Sequence, residues 1–274
     1  MSKNPYKYLY IYYLQGNIKN SDIAFSKNFI GNWQEDKYSF LFYSVPALEE
    51  VNNIILLNPS LVLLDTYEMT YEEWQGFHLK PIKIGNFVVV PQWESNKSDL
   101  EGIPIIFDPG VVFGTGTHPT TRDCLKAIEL IFENNIVRSA TDIGTGTGIL
   151  SIAAAKLGCK HIISLDINFL AAKTTLNNIH LNHLEDNILI IQGSAEDFIG
   201  LNTELLIANI HFDVMKKLMK SNKFRSYKFL VLSGLLRSEA KEIKERLLSY
   251  PFKMIESWES EGIWHTFYLK NKSY

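Results

Sequence analysis

The sequence of 274 residues is poor in cysteine, in long apolar runs and in net charge, and each shortage closes a route. Its two cysteines, Cys124 and Cys159, fall among apolar positions of helical stretches. They read as buried thiols in a reducing compartment, not as a disulfide framework. The longest apolar patch, "IILLNPSLVLLD", is broken by Asn58, Pro59 and Ser60. It falls short of the roughly 20 residues that span a bilayer. The first residues, "MSKNPYKYLYIYYLQGN", lack a basic leader followed by a smooth apolar core, so no signal peptide is expected. A cytoplasmic protein without membrane contact is the expectation. The formal net charge of −3 lacks the basic excess that a nucleic-acid partner demands, so direct DNA binding is not expected. A mildly acidic surface does suit a basic protein partner.

What is present is enough for a packed core: 46% of residues are apolar and 21% charged, ordinary values for a globular chain of one large domain or two. The chain changes character near residue 75. Before it, "YKYLYIYYL", "YSFLFYS" and "LVLLDTYEM" are dense in aromatic and branched residues and read as strands. Between the last two, "PALEEVNNII" starts with Pro46 and carries acids in its first turn, so it reads as a short helix. Residues 1–72 are therefore expected to form a small α+β domain. Residues 73–118, with their glycine, proline and polar residues, mark a linker around two short strands and a glycine-rich loop.

From about residue 119 strands and helices alternate, the mark of a parallel sheet. "SATDIG", "HIISLD", "NILIIQG", "ELLIAN" and "KFLVLSG" read as buried strands; "FKMIESWES" and "GIWHTFYLK" straddle a Glu-Gly turn as an antiparallel hairpin. That makes seven strands in residues 119–274. Helices are expected at "ILSIAAAKLG", stopped by Gly158, and at "NFLAAKTTLNNIHL", capped by Asn168.

The run "TDIGTGTG" follows a strand and opens a helix, where glycines let the backbone turn sharply and approach a ligand. Dinucleotide enzymes need G-x-G-x-x-G, with pyrophosphate on the helix N-terminus. Here Gly144, Gly146 and Gly148 have the spacing G-x-G-x-G, and Ile149 takes the place of the third dinucleotide glycine. Asp142, just before the turn, would repel pyrophosphate and could hold an ammonium group. Asp166, ending the next strand, can accept both hydroxyls of a ribose. An amino-acid head, a ribose and no phosphate describe S-adenosylmethionine. The arrangement resembles the first motif of class I methyltransferases, whose Rossmann-like seven-stranded α/β fold the strand count matches. A purely structural turn is the alternative, and the pair of acids weighs against it.

A second glycine-rich stretch, "FDPGVVFGTGTHPTTRDCL", comes before all of this. On physical grounds it is a flexible loop running into a helix, with Thr120 and Asp123 spaced as a capping box and Pro119 near the start. The glycines would allow a mobile lid. The stretch "DPGVVFGTGTHPTTRDCL" also resembles, almost residue for residue, the segment before the cofactor motif in the PrmA family of ribosomal-protein methyltransferases. The similarity continues through "IGTGTGILSIAAAKLG", "LDI", "IAN", "LSGLL", the upstream "KPIKIGNFVVVPQWE" and a Gly262/Trp264 pair, over roughly residues 72 to 270.

The resemblance implies an S-adenosylmethionine-dependent protein N-methyltransferase acting on lysine or N-terminal amines of ribosomal protein L11, free or on the ribosome. It implies that the loop and Thr121 touch the cofactor, with Gly144 and Asp166 as further contacts, and that Asn209 lies beside its reactive end. It also implies that the small first domain recognises the substrate. After "IAN" the family often reads Ile/Leu-Leu/Tyr-Ala, whereas this chain has Ile210, His211 and Phe212.

Other readings remain open beside it. The acceptor could be another protein or a small molecule, or the chain could bind the cofactor without turnover. Asn209 could accept an N–H of the acceptor amine, or be a strand-end turn residue. His118 could be a base, or order the loop. His180 and His183 lie three apart on a helix, but no third ligand is near in sequence, so a solvated face is favoured over a metal. Trp258 and Trp264 are most simply packing residues.

Overall fold

Residues 4–18, 25–76, 78–95 and 101–274 are described by the computed structural model. They divide into two units, one of Met1–Lys80 with Asn168–Leu170, the other of Pro81–Ile167 with Ala171–Tyr274.

The smaller unit is an antiparallel sheet with one long helix. Its elements are β1 (Tyr8–Gln15), β2 (Phe29–Glu35), β3 (Tyr38–Tyr43), α1 (Leu48–Leu57), β4 (Val62–Thr70) and a single turn of helix, α2 (Tyr71–Gln75). The strands lie in the order β2-β3-β1-β4. Tyr12, Leu14, Leu41 and Tyr43 pack on Val51 and Ile54 of α1. Buried tyrosines need partners for their hydroxyls, and they have them: Tyr12 accepts from the N–H of Ala47 and Tyr43 donates to Glu50. Three strands were expected here and four are found. The extra one, β2, carries Gly31, Asn32 and Gln34, which break the apolar pattern; it forms because the reversal at Asp36, with φ 51, pairs it with β3. The unlooked-for α2 is closed by a capping box of Thr70 and Glu73.

The larger unit starts with a three-stranded sheet, β5 (Ile82–Ile84), β6 (Phe87–Pro91) and β7 (Ile103–Phe107), where the sequence suggested two strands in a linker. Residues 96–100 and Phe77 of that linker lie outside the described residues. Next come α3 (Pro119–Asn134), β8 (Ser139–Ile143), α4 (Ile149–Lys156), β9 (His161–Asp166), α5 (Phe169–Leu181), β10 (Ile188–Gln192), α6 (Ala195–Phe198) and β11 (Leu205–Asn209). The chain finishes with α7 (Phe212–Lys220), β12 (Phe229–Leu236), α8 (Arg237–Leu247), β13 (Phe252–Ser260) and β14 (Trp264–Asn271).

The seven expected strands form one sheet in the order β10-β9-β8-β11-β12-β14-β13. The first five are parallel and β14 enters antiparallel. Strands covered on both faces read as unbroken apolar runs, and Leu205 to Ala208 and Phe229 to Leu232 are all buried. Leu206, Leu230 and Leu232 pack with Met215, Leu218 and Ile243 of the helices. Strand order runs outward from β8 through β9 to β10, then restarts on the other side at β11. That reversal opens a crevice beyond the carboxyl ends of β8 and β11, the general ligand position of open α/β sheets. Cys124 and Cys159 are buried free thiols.

Candidate active site

The turn after β8 is built from left-handed glycines: φ is 68° at Gly144, 58° at Gly146 and 81° at Gly148. A side chain at Gly146 would be strained there, and its Cβ would stand 2.7 Å from the carbonyl oxygen of Phe113. So the glycine turn and the second glycine-rich stretch are packed backbone to backbone. Thr147 fastens the same contact by donating to the carbonyl of Gly114 at 2.7 Å, and Asn178 donates to the carbonyl of Thr147 at 2.8 Å. Arg122 donates to the carbonyl of Gly116. Residues 109–112 and 114–116 are buried, and only Phe113 of this stretch is exposed.

Asp142 sits one residue before the end of β8, 1% exposed. Its Oδ2 accepts from the hydroxyls of Ser151 (2.6 Å) and Thr145 (2.8 Å), while Oδ1 has no partner among the described residues. Burial pushes its carboxyl up to about 6; the bonds from Ser151 and Thr145 oppose this and nearby Asp166 reinforces it. Asp166, at the end of β9, accepts the N–H of Gly146 at 3.1 Å. The two acids named from sequence are thus joined through one glycine turn.

The helix α3 delivers the remaining side chains. The expected capping box of Thr120 and Asp123 is not formed. His118 is the N-cap, accepting the N–H of Thr120 on Nδ1 at 3.4 Å, with Pro119 as the first helical residue. Asp123 is instead buried and takes a hydrogen bond from Ser260 at 2.6 Å and an ion pair with Lys126 at 3.2 Å. A histidine nitrogen thus fills the capping role that the sequence rule assigns to a hydroxyl. With Thr120 inside the first turn, its hydroxyl is released to meet Asn209 Nδ2 at 3.2 Å. Thr121, 1% exposed, keeps a hydroxyl with no partner among the described residues. Trp264 packs edge-on against His118, ring centroids 5.0 Å apart, and Phe113 does so at 5.1 Å.

His180 pairs with Glu185 on the surface, and His183 sits in a left-handed turn after α5. Among the described residues no group of His, Cys, Asp or Glu is arranged to hold a metal ion.

The geometry has relatives. The family described as ribosomal protein L11 methyltransferase (PrmA) matches residues 48–272. The chain belongs to the PrmA family. It is a methyltransferase with the Rossmann-like fold of that class. The ribosomal protein L11 methyltransferase of Halalkalibacterium halodurans is 31% identical over 242 residues, which cover 85% of this chain and 76% of the relative. That of Anoxybacillus flavithermus is 32% identical over 244 residues, with 85% and 77% covered. The crystal structure of ribosomal protein L11 methylase from Lactobacillus delbrueckii subsp. bulgaricus aligns with a TM-score of 0.63 at 26% identity, covering 70% of this chain and 99% of that one.

Within this PrmA-family chain, the site residues read from sequence lie on successive elements of the larger unit. Asp142 and Asp166 lie at the carboxyl ends of neighbouring strands, one residue before the last and at the last, with Gly144 and Gly146 in the turn between β8 and α4. Asn209 ends β11, on the other side of the reversal, and reaches the first turn of α3, where Thr121 follows Thr120. Sequence reasoning missed the contact of Thr120 with Asn209, the role of Ser151 and the contact of Trp264 with His118. Hydroxyl partners of this kind carry no spacing signal; only the fold brings residues 89 apart, such as Thr120 and Asn209, into contact.

Proposed function

We propose that this chain transfers methyl groups from S-adenosylmethionine to amine nitrogens of ribosomal protein L11, its lysines or its N-terminus, in the cytoplasm. The observation that carries the cofactor assignment is a pair of buried oxygens without partners among the described residues, Asp142 Oδ1 and Thr121 Oγ1. Buried polar atoms are nearly always hydrogen-bonded, so two unpaired ones near the sheet's reversal fit a ligand that brings its own donors and acceptors. Asp142 suits the ammonium of an amino-acid head. Asp166 has the place and chemistry to accept ribose hydroxyls. Gly144 and Gly146 give the turn its left-handed backbone and let it pack closely on Ile210 and on the Phe113 carbonyl. The buried carboxylate of Asp142 beside the turn disfavours pyrophosphate, whose oxygens need donors.

When bound, S-adenosylmethionine supplies a methyl on a sulfonium. The chain's own contribution is proximity and orientation. The acceptor nitrogen must be neutral, and a lysine with a reference pKa near 10.4 has to lose a proton before attack. Asn209 Oδ1 is suited to accept an N–H of the neutral amine and so aim its lone pair. His118 is occupied at Nδ1 as a helix cap, and burial holds its pKa below the usual value. That supports an ordering role for His118 and not that of a base.

L11 as substrate rests on the family and its relatives. The smaller unit is the proposed recognition element: β4 presents Val62, Leu64 and Tyr67 as exposed apolar side chains, and grouped apolar exposure marks interaction surfaces. No helix of the described residues is long and apolar enough to cross a membrane. A second reading has one observation in its favour. The family match begins at residue 48, leaving the first three strands of the smaller unit, β1 to β3, outside it, so the same chemistry could serve another protein acceptor.

Intact mass of the host's own L11, before and after incubation with this protein and S-adenosylmethionine, tests both. Gains in methyl steps that vanish with Asp166→Ala are expected. No gain, with cofactor binding intact, would move the substrate to the second reading.

A further inference from the structure

The hydroxyl of Thr120 has two neighbours, His118 Nδ1 at 2.8 Å and Asn209 Nδ2 at 3.2 Å. The direction of these bonds can be worked out. His118 Nδ1 receives the backbone N–H of Thr120, and a ring nitrogen that accepts an N–H carries no proton. The Thr120 hydroxyl must then donate to Nδ1, because Nδ1 has nothing to give. Its lone pairs are left to accept from Asn209, so the amide nitrogen of Asn209 is the end that faces Thr120. The imidazole cannot easily turn to reverse this, since Phe113 and Trp264 pack edge-on against it, at 5.1 and 5.0 Å. The other end of the amide is held open as well. Gly234 has φ 82°, and a Cβ there would stand 3.2 Å from Asn209 Oδ1 and 2.8 Å from the carbonyl oxygen of Ile210.

We propose that His118 and Thr120 are positioning residues: a hydrogen-bond chain running one way, from Asn209 through Thr120 to His118, fixes the Asn209 amide with its carbonyl oxygen toward the acceptor amine. The proposal rests on the reading that Asn209 meets that amine. The orientation matters because the two ends of an amide act oppositely on a nucleophile. A carbonyl oxygen accepts an N–H and leaves the nitrogen lone pair free for the methyl. An amide NH2 in the same place would donate to the lone pair and occupy it. Either orientation is open to an isolated asparagine; the chain selects one.

The test uses the full-length protein with L11 as acceptor. Thr120→Val keeps the shape and removes the hydroxyl. The expected result is a kcat lower by on the order of 10- to 100-fold, the scale of a misplaced reacting group, with a much smaller change in cofactor affinity. Thr120→Ser restores most of the rate, and so does His118→Asn relative to His118→Ala, because Asn can again cap the helix and accept. In an Asn209→Ala background Thr120→Val causes no additional loss, as expected for residues that act as one unit. A merely structural role would add its loss there too. Nitrogen-15 spectra of the resting protein, taken without acceptor, should show His118 Nδ1 unprotonated and Nε2 protonated. A wild-type kcat in Thr120→Val, multiplied losses in the double variant, or a protonated Nδ1 would each overturn the proposal. If L11 itself is not methylated, the substrate reading fails, and the nitrogen-15 spectra still decide the direction of the chain.

Discussion

Asp142 carries an unpaired oxygen in full burial, and its titration should report both stability and cofactor binding. Its folded-state value, about 6, lies above the ordinary carboxylate value of 3.8. Between those two values the native protein holds more protons than the unfolded chain. The stability it contributes is therefore full below the unfolded value and is lost as pH rises through about 6. Denaturant unfolding of wild type and Asp142→Asn, compared from about pH 5 to about pH 8, should show a decline in wild type that the variant lacks. An ammonium group bound beside Asp142 favours the charged form, so S-adenosylmethionine affinity should weaken as pH falls below about 6. Calorimetric titration should find that slope in wild type and a weaker, flatter response in Asp142→Asn. A second residue, Gly146, is tested by volume instead of charge. Gly146→Ala places a Cβ 2.7 Å from the Phe113 carbonyl in left-handed backbone. The left-handed strain alone costs about 1–2 kcal/mol, and the loop must also shift. Thermal unfolding should show the loss, with weakened cofactor binding; wild-type values for both would mean the loop gives way freely. The glycine turn that brings Asp142 and Asp166 together was legible in sequence because charge and glycine spacing are local. The Asn209 contact with Thr120 was not, because it depends on where β11 ends relative to α3.

At the scale of elements, α3 is anchored at two points that the sequence placed elsewhere. The capping-box spacing of Thr120 and Asp123 was present in the residues, yet His118 took the cap and Asp123 turned to the β13–β14 hairpin. The reason is burial: Asp123 lies 1% exposed and needs a donor where it points, which Ser260 supplies. Ser260→Ala leaves that buried oxygen unsatisfied, a loss of about 1–3 kcal/mol. Urea unfolding should show this loss for Ser260→Ala and almost none for the exposed Ser257→Ala; equal effects would mean that the Asp123 bond contributes nothing. The same contrast explains which elements were readable. The seven strands of the large sheet were, because parallel strands buried on both faces are continuous apolar runs. β2 was hidden by its polar and glycine residues, and it exists because β3 offers it an edge to pair with.

For the whole molecule, the described residues form two units that differ in construction, an aromatic antiparallel sheet and a buried parallel one. Every proposed cofactor contact, Thr121, Asp142, Gly144, Gly146, Asp166 and Asn209, belongs to the larger unit. A ligand that binds only the native state stabilises it by mass action, about 2.7 kcal/mol at a concentration 100 times Kd. That stabilisation should appear where the contacts are. Hydrogen exchange with and without S-adenosylmethionine should slow amides of β8, β9 and β11, in proportion to the ligand concentration. Amides of β1 and β3, whose core of Tyr12, Leu14, Leu41 and Tyr43 is closed by α1, should exchange at unchanged rates. Equal slowing in both sheets would mean that the chain opens as one cooperative body, and that the smaller unit depends on the cofactor for its stability. Slowing confined to the larger unit would mean that the smaller unit keeps its fold whatever the state of the cofactor site, as a recognition element must if it is to bind the acceptor before or after the cofactor arrives.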